Sequence, residues 1–137
     1  MDALTRQIAI HEGFSSKAYT DTTGHLTIGY GLNLQSGITQ KEAQLLLECR
    51  IEQCKDELAP IPAFKYLDSV RQGVLVEMVY NLGLQGLLSF KRMLAALEGH
   101  KYVLAVTEAK NSKWATQIGK DRLDDLCYRL LEGRYQV

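Results

Sequence analysis

The stretch HEGFSSKAYTDTTGHLTIGYGLNL, residues 11–34, changes from a helical pattern to an alternating, strand-like pattern of apolar residues. This change decides the fold. The start of the stretch completes a helical pattern over residues 2–12, and Gly13 is placed to end that helix. Its remainder, residues 17–34, alternates apolar and polar side chains around a turn of composition Asp-Thr-Thr-Gly. We therefore expect a short helix followed by a β-hairpin.

Helical patterns fill the chain after the hairpin. Residues 39–58 open with the capping box Thr-Gln-Lys-Glu, and the segment Pro-Ile-Pro at 60–62 ends them. A helix is also expected over residues 68–82, where positions 74–82 are apolar on nearly every face apart from Glu77 and Asn81, as is typical of a helix at the centre of a core. Gly83 and Gly86 break this pattern. Further helices are expected over residues 87–98, 100–110 and about 120–133.

This order of elements predicts an α+β fold that is predominantly helical. A small N-terminal lobe carries the hairpin sheet, and a long helix joins it to a helical C-terminal lobe. The length of 137 residues and the 46% hydrophobic content indicate one domain with a real core. We expect the lobes to comprise residues 12–58, and residues 1–11 together with 59–137.

Charge and hydropathy exclude some classes of protein. Lysine plus arginine and aspartate plus glutamate each number 16, so the formal net charge is zero and no bulk positive charge indicates nucleic-acid binding. The start of the chain has no apolar run of signal-peptide length, and no apolar span reaches 18 residues. The expectation is a soluble protein with no signal peptide and no membrane anchor.

Three cysteines and three histidines offer little chemistry. The cysteines at 49, 54 and 127 are odd in number and fit no common zinc spacing, so reduced thiols acting as small core residues are expected. A nucleophilic cysteine is the alternative, but no neighbouring residue supports it. The histidines at 11, 25 and 100 do not cluster, so we assign no metal and no cofactor.

Two carboxyl groups in the opening stretch are candidates for chemistry. Glu12 ends a helix, where the negative end of the helix dipole favours its protonated form and suits it to proton donation. Asp21 is placed in the turn, where exposure favours the ionised form, and Thr27 on the returning strand can bind a water. Such a set suits glycoside hydrolysis. Spacing alone also allows the interpretation that these residues have no catalytic role, because acidic residues are common at helix ends and turns.

The stretch resembles the catalytic signature of the phage-type lysozymes, the muramidase family of the T-even phages. That signature is glutamate, eight residues, aspartate or cysteine, five residues, and threonine, which Glu12, Asp21 and Thr27 match position for position. Thr-Ile-Gly-Tyr-Gly at 27–31 also matches. The resemblance continues in order at Gly37–Ala43, Asp68–Arg71, Met78–Gly83, Ser89–Phe90 and Ser112–Trp114.

The resemblance implies a lysozyme-like fold and a specific reaction. Glu12 would be the general acid, and Asp21 and Thr27 would position and activate a water. The substrate would be the glycan strand of peptidoglycan, cut at the β-1,4 bond between N-acetylmuramic acid and N-acetylglucosamine. The family's hydrolysis is inverting, which makes Asp21 a base partner and not a covalent nucleophile.

The resemblance also assigns substrate-contacting residues. Tyr80 and Asn81 correspond to residues that line the family's cleft from the helical lobe, although Tyr80 could instead be a core residue with its hydroxyl at the surface. Leu32 stands where the family usually has a histidine, and we assign it to substrate contact together with Asn33, which follows it.

One arginine is assigned a supporting role. Arg122 matches the family arginine that pairs with the catalytic glutamate, provided that the match shifts by one residue after Trp114. Its alternative role is a surface ion pair.

The expected biological role is that of a phage or prophage endolysin that lyses bacterial cells. We expect a monomer, made in the bacterial cytoplasm, that reaches the cell wall through a pore, by lysis, or by delivery in a larger assembly. Two alternatives stay open at this point. One is a non-catalytic cell-wall-binding module that keeps the fold, and the other is a hydrolase of a related glycan such as chitin. The intact set of Glu12, Asp21 and Thr27 favours the enzyme.

Overall fold

The computed structural model describes residues 1–136 and confirms a predominantly helical α+β fold. In chain order its elements are α1 (Ala3–Glu12), β1 (Ser15–Thr20), β2 (Leu26–Gly29), β3 (Leu32–Asn33), a single 3₁₀ turn (Leu34–Ser36), α2 (Gln40–Leu58), α3 (Pro62–Lys65), α4 (Ser69–Leu88), α5 (Lys91–Glu98), α6 (Tyr102–Lys110), α7 (Lys113–Gln117) and α8 (Lys120–Glu132). These form two compact units, Met1–Leu46 and a second that begins at Leu47. The assignment of residues 1–11 to the helical lobe stays a prediction.

The first helix, α1, has well-defined ends. The side chain of Asp2 caps its start by accepting a hydrogen bond of 2.7 Å from the Thr5 N–H. At its other end Gly13 has φ 71°, and its N–H donates to the Ala9 carbonyl at 2.9 Å. Glycine is the residue that adopts positive φ at a helix end with the least strain. The predicted end at Gly13 is thus confirmed.

The hairpin of the first unit extends into a three-stranded antiparallel sheet in the order β1-β2-β3. The predicted hairpin is β1 with β2, and the sequence analysis missed β3. The return to β3 is made over residues 29–32, where Gly29 has φ 68° and Gly31 has φ 74°. These two glycines make the tight reversal possible, because other residues rarely adopt positive φ.

The long helix α2 begins as predicted. The Thr39 N–H donates to Glu42 Oε1 at 2.9 Å, and the Glu42 N–H donates to Thr39 Oγ1 at 3.1 Å, which is a complete capping box. The helix ends at Leu58, two residues before Pro60. Apolar residues recur along it at helical spacing, but only the last two of them are buried: Ala43, Leu47, Ile51, Cys54 and Leu58.

The second unit is built around α4. Five of the residues that α4 buries, between positions 74 and 79, join a core with residues from α2, α5, α6, α7 and α8: Val74, Leu75, Val76, Met78 and Val79. The helix runs further than predicted, to Leu88. Gly83, with φ 76°, interrupts it as expected, whereas Gly86 lies within helical structure. The short helices α3 and α7 were not predicted, because four or five residues carry too little periodicity to detect.

The cysteine prediction holds for two of the three residues. Cys54 and Cys127 are buried, whereas Cys49 is exposed, so its assignment to the core was wrong. Burial raises the pKa of the Cys54 and Cys127 thiols, which disfavours a thiolate nucleophile at either position. On α8, Cys127 shares the buried face with Leu126 and Leu130, whereas Leu131 is exposed.

No single helix within residues 1–136 is long and apolar enough to cross a membrane. Only α4 and α5 taken together reach that length and composition, and they are bent by 99°.

A charged network joins α4 to α8 inside the second unit. The Arg129 side chain is only 5% exposed, and its Nη2 lies 3.0 Å from both Glu77 Oε1 and Asp125 Oδ2. Arg122 Nε lies 3.2 Å from Glu77 Oε2. Burial opposes the charge on Arg129, but the hydrogen bond and the negative charge of Glu77 outweigh it and raise the pKa of Arg129. Glu77 therefore compensates a nearly buried positive charge.

Replacing Glu77 with glutamine should destabilise the protein by about 1.5–3 kcal/mol, which is the range for losing hydrogen bonds to charged groups. The lower end is expected, because the Glu77 side chain is one third exposed. Urea unfolding measures the change. The matched control is Asp124→Asn, which removes the exposed ion pair with Lys120 on α8 and should cost less than about 1 kcal/mol. Equal costs for the two variants would contradict this account.

Candidate active site

Glu12 lies at the end of α1, where the backbone of Gly31 packs against its side chain. A Cβ atom added at Gly31 would lie 3.0 Å from Glu12 Cδ and in clash with Oε2. Gly31 also has φ 74°, which disfavours any other residue. The absence of a side chain at position 31 therefore leaves the space that the Glu12 carboxyl group occupies.

Asp21 closes the turn between β1 and β2 with one carboxylate oxygen. Its Oδ1 accepts hydrogen bonds from the Thr23 N–H at 2.9 Å, the Thr23 hydroxyl at 2.8 Å and the His25 N–H at 2.8 Å. Its Oδ2 accepts no hydrogen bond from the described residues. Asp21 thus uses one oxygen for structure and keeps the other for a water or a ligand.

The same hydrogen bonds set the charge of Asp21. Donation from the His25 backbone, then from the Thr23 side chain, lowers the pKa of this half-buried carboxyl. A carboxylate in this state is ionised at neutral pH, as the sequence predicts for the turn position.

Thr27 is 3% exposed and lies on β2. Its hydroxyl donates to the His25 carbonyl at 3.0 Å. A hydroxyl has one proton and two lone pairs, so Thr27 Oγ1 can only accept a further hydrogen bond. It therefore offers an acceptor to any water that it binds.

The sheet register places two further side chains beside Thr27. Tyr19 on β1 and Asn33 on β3 are its direct partners across the sheet. Directly opposed residues of antiparallel strands project to the same face. The Asn33 Oδ1 accepts from the Gln35 N–H at 2.9 Å, which leaves its amide NH₂ as a donor. The register thus places Asn33, a predicted site residue, in one row with Thr27 across the sheet. It also places Tyr19 in that row, although Tyr19 was not selected from the sequence.

Leu32 occupies β3 opposite Ile28 and is 38% exposed. An apolar side chain at this position can contribute a packing surface but no hydrogen bond. Its contact with substrate stays a prediction.

The remaining predicted site residues belong to the second unit. Tyr80 on α4 is 52% exposed, so the alternative of a core tyrosine is wrong. Asn81 Oδ1 accepts a hydrogen bond of 2.7 Å from the indole N–H of Trp114. Arg122 forms an ion pair with Glu77, which agrees with the alternative role predicted for it. Pairing of Arg122 with Glu12 stays a prediction, as do the sugar contacts of Tyr80 and Asn81.

Two residues of the turn, Thr23 and His25, were not selected from the sequence. Both hold Asp21, and the signal for Thr23 was present in the spacing, because an aspartate commonly accepts a hydrogen bond from the backbone two residues on. Within residues 1–136, no group of three or more histidine, cysteine, aspartate or glutamate side chains could hold a metal ion.

Comparisons with known proteins show which family the chain resembles. The family model described as phage lysozyme matches residues 9–131. Two curated relatives come from Dictyostelium discoideum. "Probable T4-type lysozyme 1" is 31% identical over 58% of this chain and 49% of its own length, and "Probable T4-type lysozyme 2" is 31% identical over 68% of this chain and 59% of its own length.

The chain therefore spans about half to three fifths of the length of these relatives. The family model covers far more than half of the chain, including every predicted site residue. The chain belongs to the phage lysozyme family.

Proposed function

We propose that this chain is a muramidase that hydrolyses the β-1,4 bond between N-acetylmuramic acid and N-acetylglucosamine in peptidoglycan. The observation that best supports the proposal is a pair of hydrogen-bond acceptors. One is Asp21 Oδ2, which accepts no hydrogen bond from residues 1–136, and the other is Thr27 Oγ1, which donates its own proton to the His25 carbonyl. A glycosidase of this kind needs an oriented water and a proton donor. Membership of the phage lysozyme family supports a glycan substrate.

The two acceptors would orient the water. A water held by both groups donates one hydrogen to Asp21 and the other to Thr27, so a lone pair on its oxygen is left for the anomeric carbon. As the new C–O bond forms, Asp21 takes the proton that the water loses. Glu12 donates its proton to the leaving oxygen as the glycosidic bond breaks, so charge and protons balance.

The proposed role is bacteriolytic, as in a phage or prophage endolysin acting as a monomer. The protein would be made in the cytoplasm of the bacterial host and would reach the wall by a pore, by lysis or in an assembly. The names of the two relatives support the lysozyme activity, whereas the endolysin role rests on the sequence resemblance alone.

Replacing Glu12 with glutamine should reduce hydrolysis of purified peptidoglycan by about 10²–10⁴-fold, the usual contribution of a general acid. Turbidity clearing and release of reducing ends measure the rate. Glu52→Gln is the control, because Glu52 is an exposed carboxylate on α2 whose ion pair with Lys55 is also exposed. It should retain the wild-type rate.

The same assay separates the alternatives when chitin is included beside peptidoglycan. Binding to peptidoglycan without cleavage would identify a wall-binding module, and cleavage of chitin alone would identify a hydrolase of another glycan. A Glu12→Gln protein that keeps more than about a tenth of the wild-type rate would contradict the assignment of Glu12 as the general acid.

The anomer formed first should have inverted configuration, because Asp21 is assigned to the water and not to a covalent bond with the sugar. Proton NMR of fresh product, recorded before mutarotation, identifies the anomer. A retained configuration would make a carboxylate of the enzyme the nucleophile and would overturn the role given to Asp21.

Replacing Gly31 with alanine should reduce activity by about tenfold or more, because displacement of a catalytic group by 1 Å can cost about 10²-fold. The added Cβ would displace the Glu12 carboxyl group. Gly29→Ala is the matched control, since Gly29 also has positive φ but its added Cβ would meet no atom within 4 Å.

Both alanine variants carry a similar backbone strain of about 1–2 kcal/mol, so their stabilities should fall together. Rates per folded molecule should separate them. Equal rates in the two variants would show that the contact between Gly31 and Glu12 does not matter for the reaction.

A further inference from the structure

A chain of hydrogen bonds links the imidazole of His25 to the carboxylate of Asp21. Thr23 Oγ1 lies 2.8 Å from Asp21 Oδ1 and 2.7 Å from His25 Nδ1. The direct distance from His25 Nδ1 to Asp21 Oδ1 is 3.9 Å, which is too long for a hydrogen bond. The threonine hydroxyl therefore bridges the imidazole and the carboxylate.

The number of protons sets the direction of each hydrogen bond. An ionised carboxylate can only accept, so the single hydroxyl proton of Thr23 goes to Asp21. His25 must then donate to the Thr23 oxygen, which assigns the proton to Nδ1 in the neutral ring. Because Nδ1 also carries a proton in the charged ring, the two hydrogen bonds persist when His25 is protonated.

The backbone of His25 holds both members of the proposed water site. Its N–H donates to Asp21 Oδ1 at 2.8 Å, and its carbonyl accepts from the Thr27 hydroxyl at 3.0 Å. The side chain of the same residue supports Asp21 through Thr23. A displacement of His25 would therefore disturb Asp21 and Thr27 together.

We propose that Thr23 and His25 are positioning residues for the water-activating pair of Asp21 and Thr27. This inference rests on the proposed function. The chain His25–Thr23–Asp21 fixes the rotation of the Asp21 side chain by engaging Oδ1, so that Oδ2 keeps a constant direction toward the water. Position matters here because a reacting water must approach within a narrow range of angles.

These hydrogen bonds also affect the acidity of Asp21. Donation from the His25 backbone and from the Thr23 side chain lowers the pKa of Asp21, and a positive charge on the protonated His25 ring acts in the same direction. Among residues 1–136, His25 is the titratable neighbour whose ring, when it is protonated, acts on this carboxylate by its charge. Beside the turn, β1 and β2 present the pair Thr20 and Leu26, neither of which titrates.

Removing the Thr23 hydroxyl should therefore raise the pKa of Asp21 toward its ordinary value of 3.8. Asp21 must be ionised to accept the proton of the water, so activity is lost as pH falls through its pKa. A raised pKa moves this loss to a higher pH. The acid limb of kcat/KM and the titration of the Asp21 carboxyl carbon by NMR should shift together.

The test compares Thr23→Val with Thr22→Val, because both remove a threonine hydroxyl from the same turn. The side chain of Thr22 makes no hydrogen bond within the described residues, so it is a matched control. Thr23→Val should lower kcat by about 10–100-fold, since small displacements of catalytic groups have effects of this size. KM should stay within about twofold, and Thr22→Val should behave as wild type.

Two conservative variants separate positioning from folding. Thr23→Ser restores the hydroxyl and should restore both the rate and the Asp21 titration. His25→Asn keeps a donor near the position of Nδ1 and should retain more activity than His25→Phe, which has none. Thermal unfolding of each variant gives its folded fraction, and all rates are expressed per folded molecule.

The outcomes distinguish this inference from the proposed function. A wild-type protein that cleaves no glycan, or an active Glu12→Gln variant, would overturn the proposed function. An active wild type with equal kcat and equal Asp21 titration in Thr23→Val and Thr22→Val would overturn the positioning role alone. A loss of rate in Thr23→Val that Thr23→Ser does not recover would also overturn it.

Discussion

One carboxylate oxygen, Asp21 Oδ1, sets the geometry of the first unit. By accepting three hydrogen bonds it closes the turn between β1 and β2. The turn determines the register of a hairpin, and a slip of one residue would send every side chain to the opposite face. The row of Tyr19, Thr27 and Asn33 exists only in the observed register. The residue proposed to activate water is thus also the residue that builds its own surroundings.

The two units are stabilised by different interactions. In the first unit Thr27 is the one buried residue among positions 1–46, so turns, caps and hydrogen bonds carry much of the local order. In the second unit α4 lies within an apolar core, and Glu77 neutralises the nearly buried Arg129. Hydrogen-bonded turns hold precise angles, whereas apolar contacts are non-directional. This difference suits a site on the first unit.

The sequence predicted those features that short-range patterns encode. The capping box at Thr39 and the end of α1 at Gly13 are local, and both were found. The strand β3 was missed, because two residues carry no periodicity. The network of Glu77 could not be predicted, since it joins residues 45 and 52 positions apart. Likewise, the spacing selected Asp21 and Thr27, but only the structure shows that His25 contacts both.

The exposed Cys49 gives this protein a natural attachment point. The other two thiols, Cys54 and Cys127, are buried and have raised pKa values, so a maleimide at neutral pH reacts with Cys49 in preference to them. A fluorophore or a bead linker can therefore be placed on α2 without engineering the chain. The same exposure makes Cys49 the residue through which oxidation would link two molecules during storage, so a reducing agent belongs in the buffer.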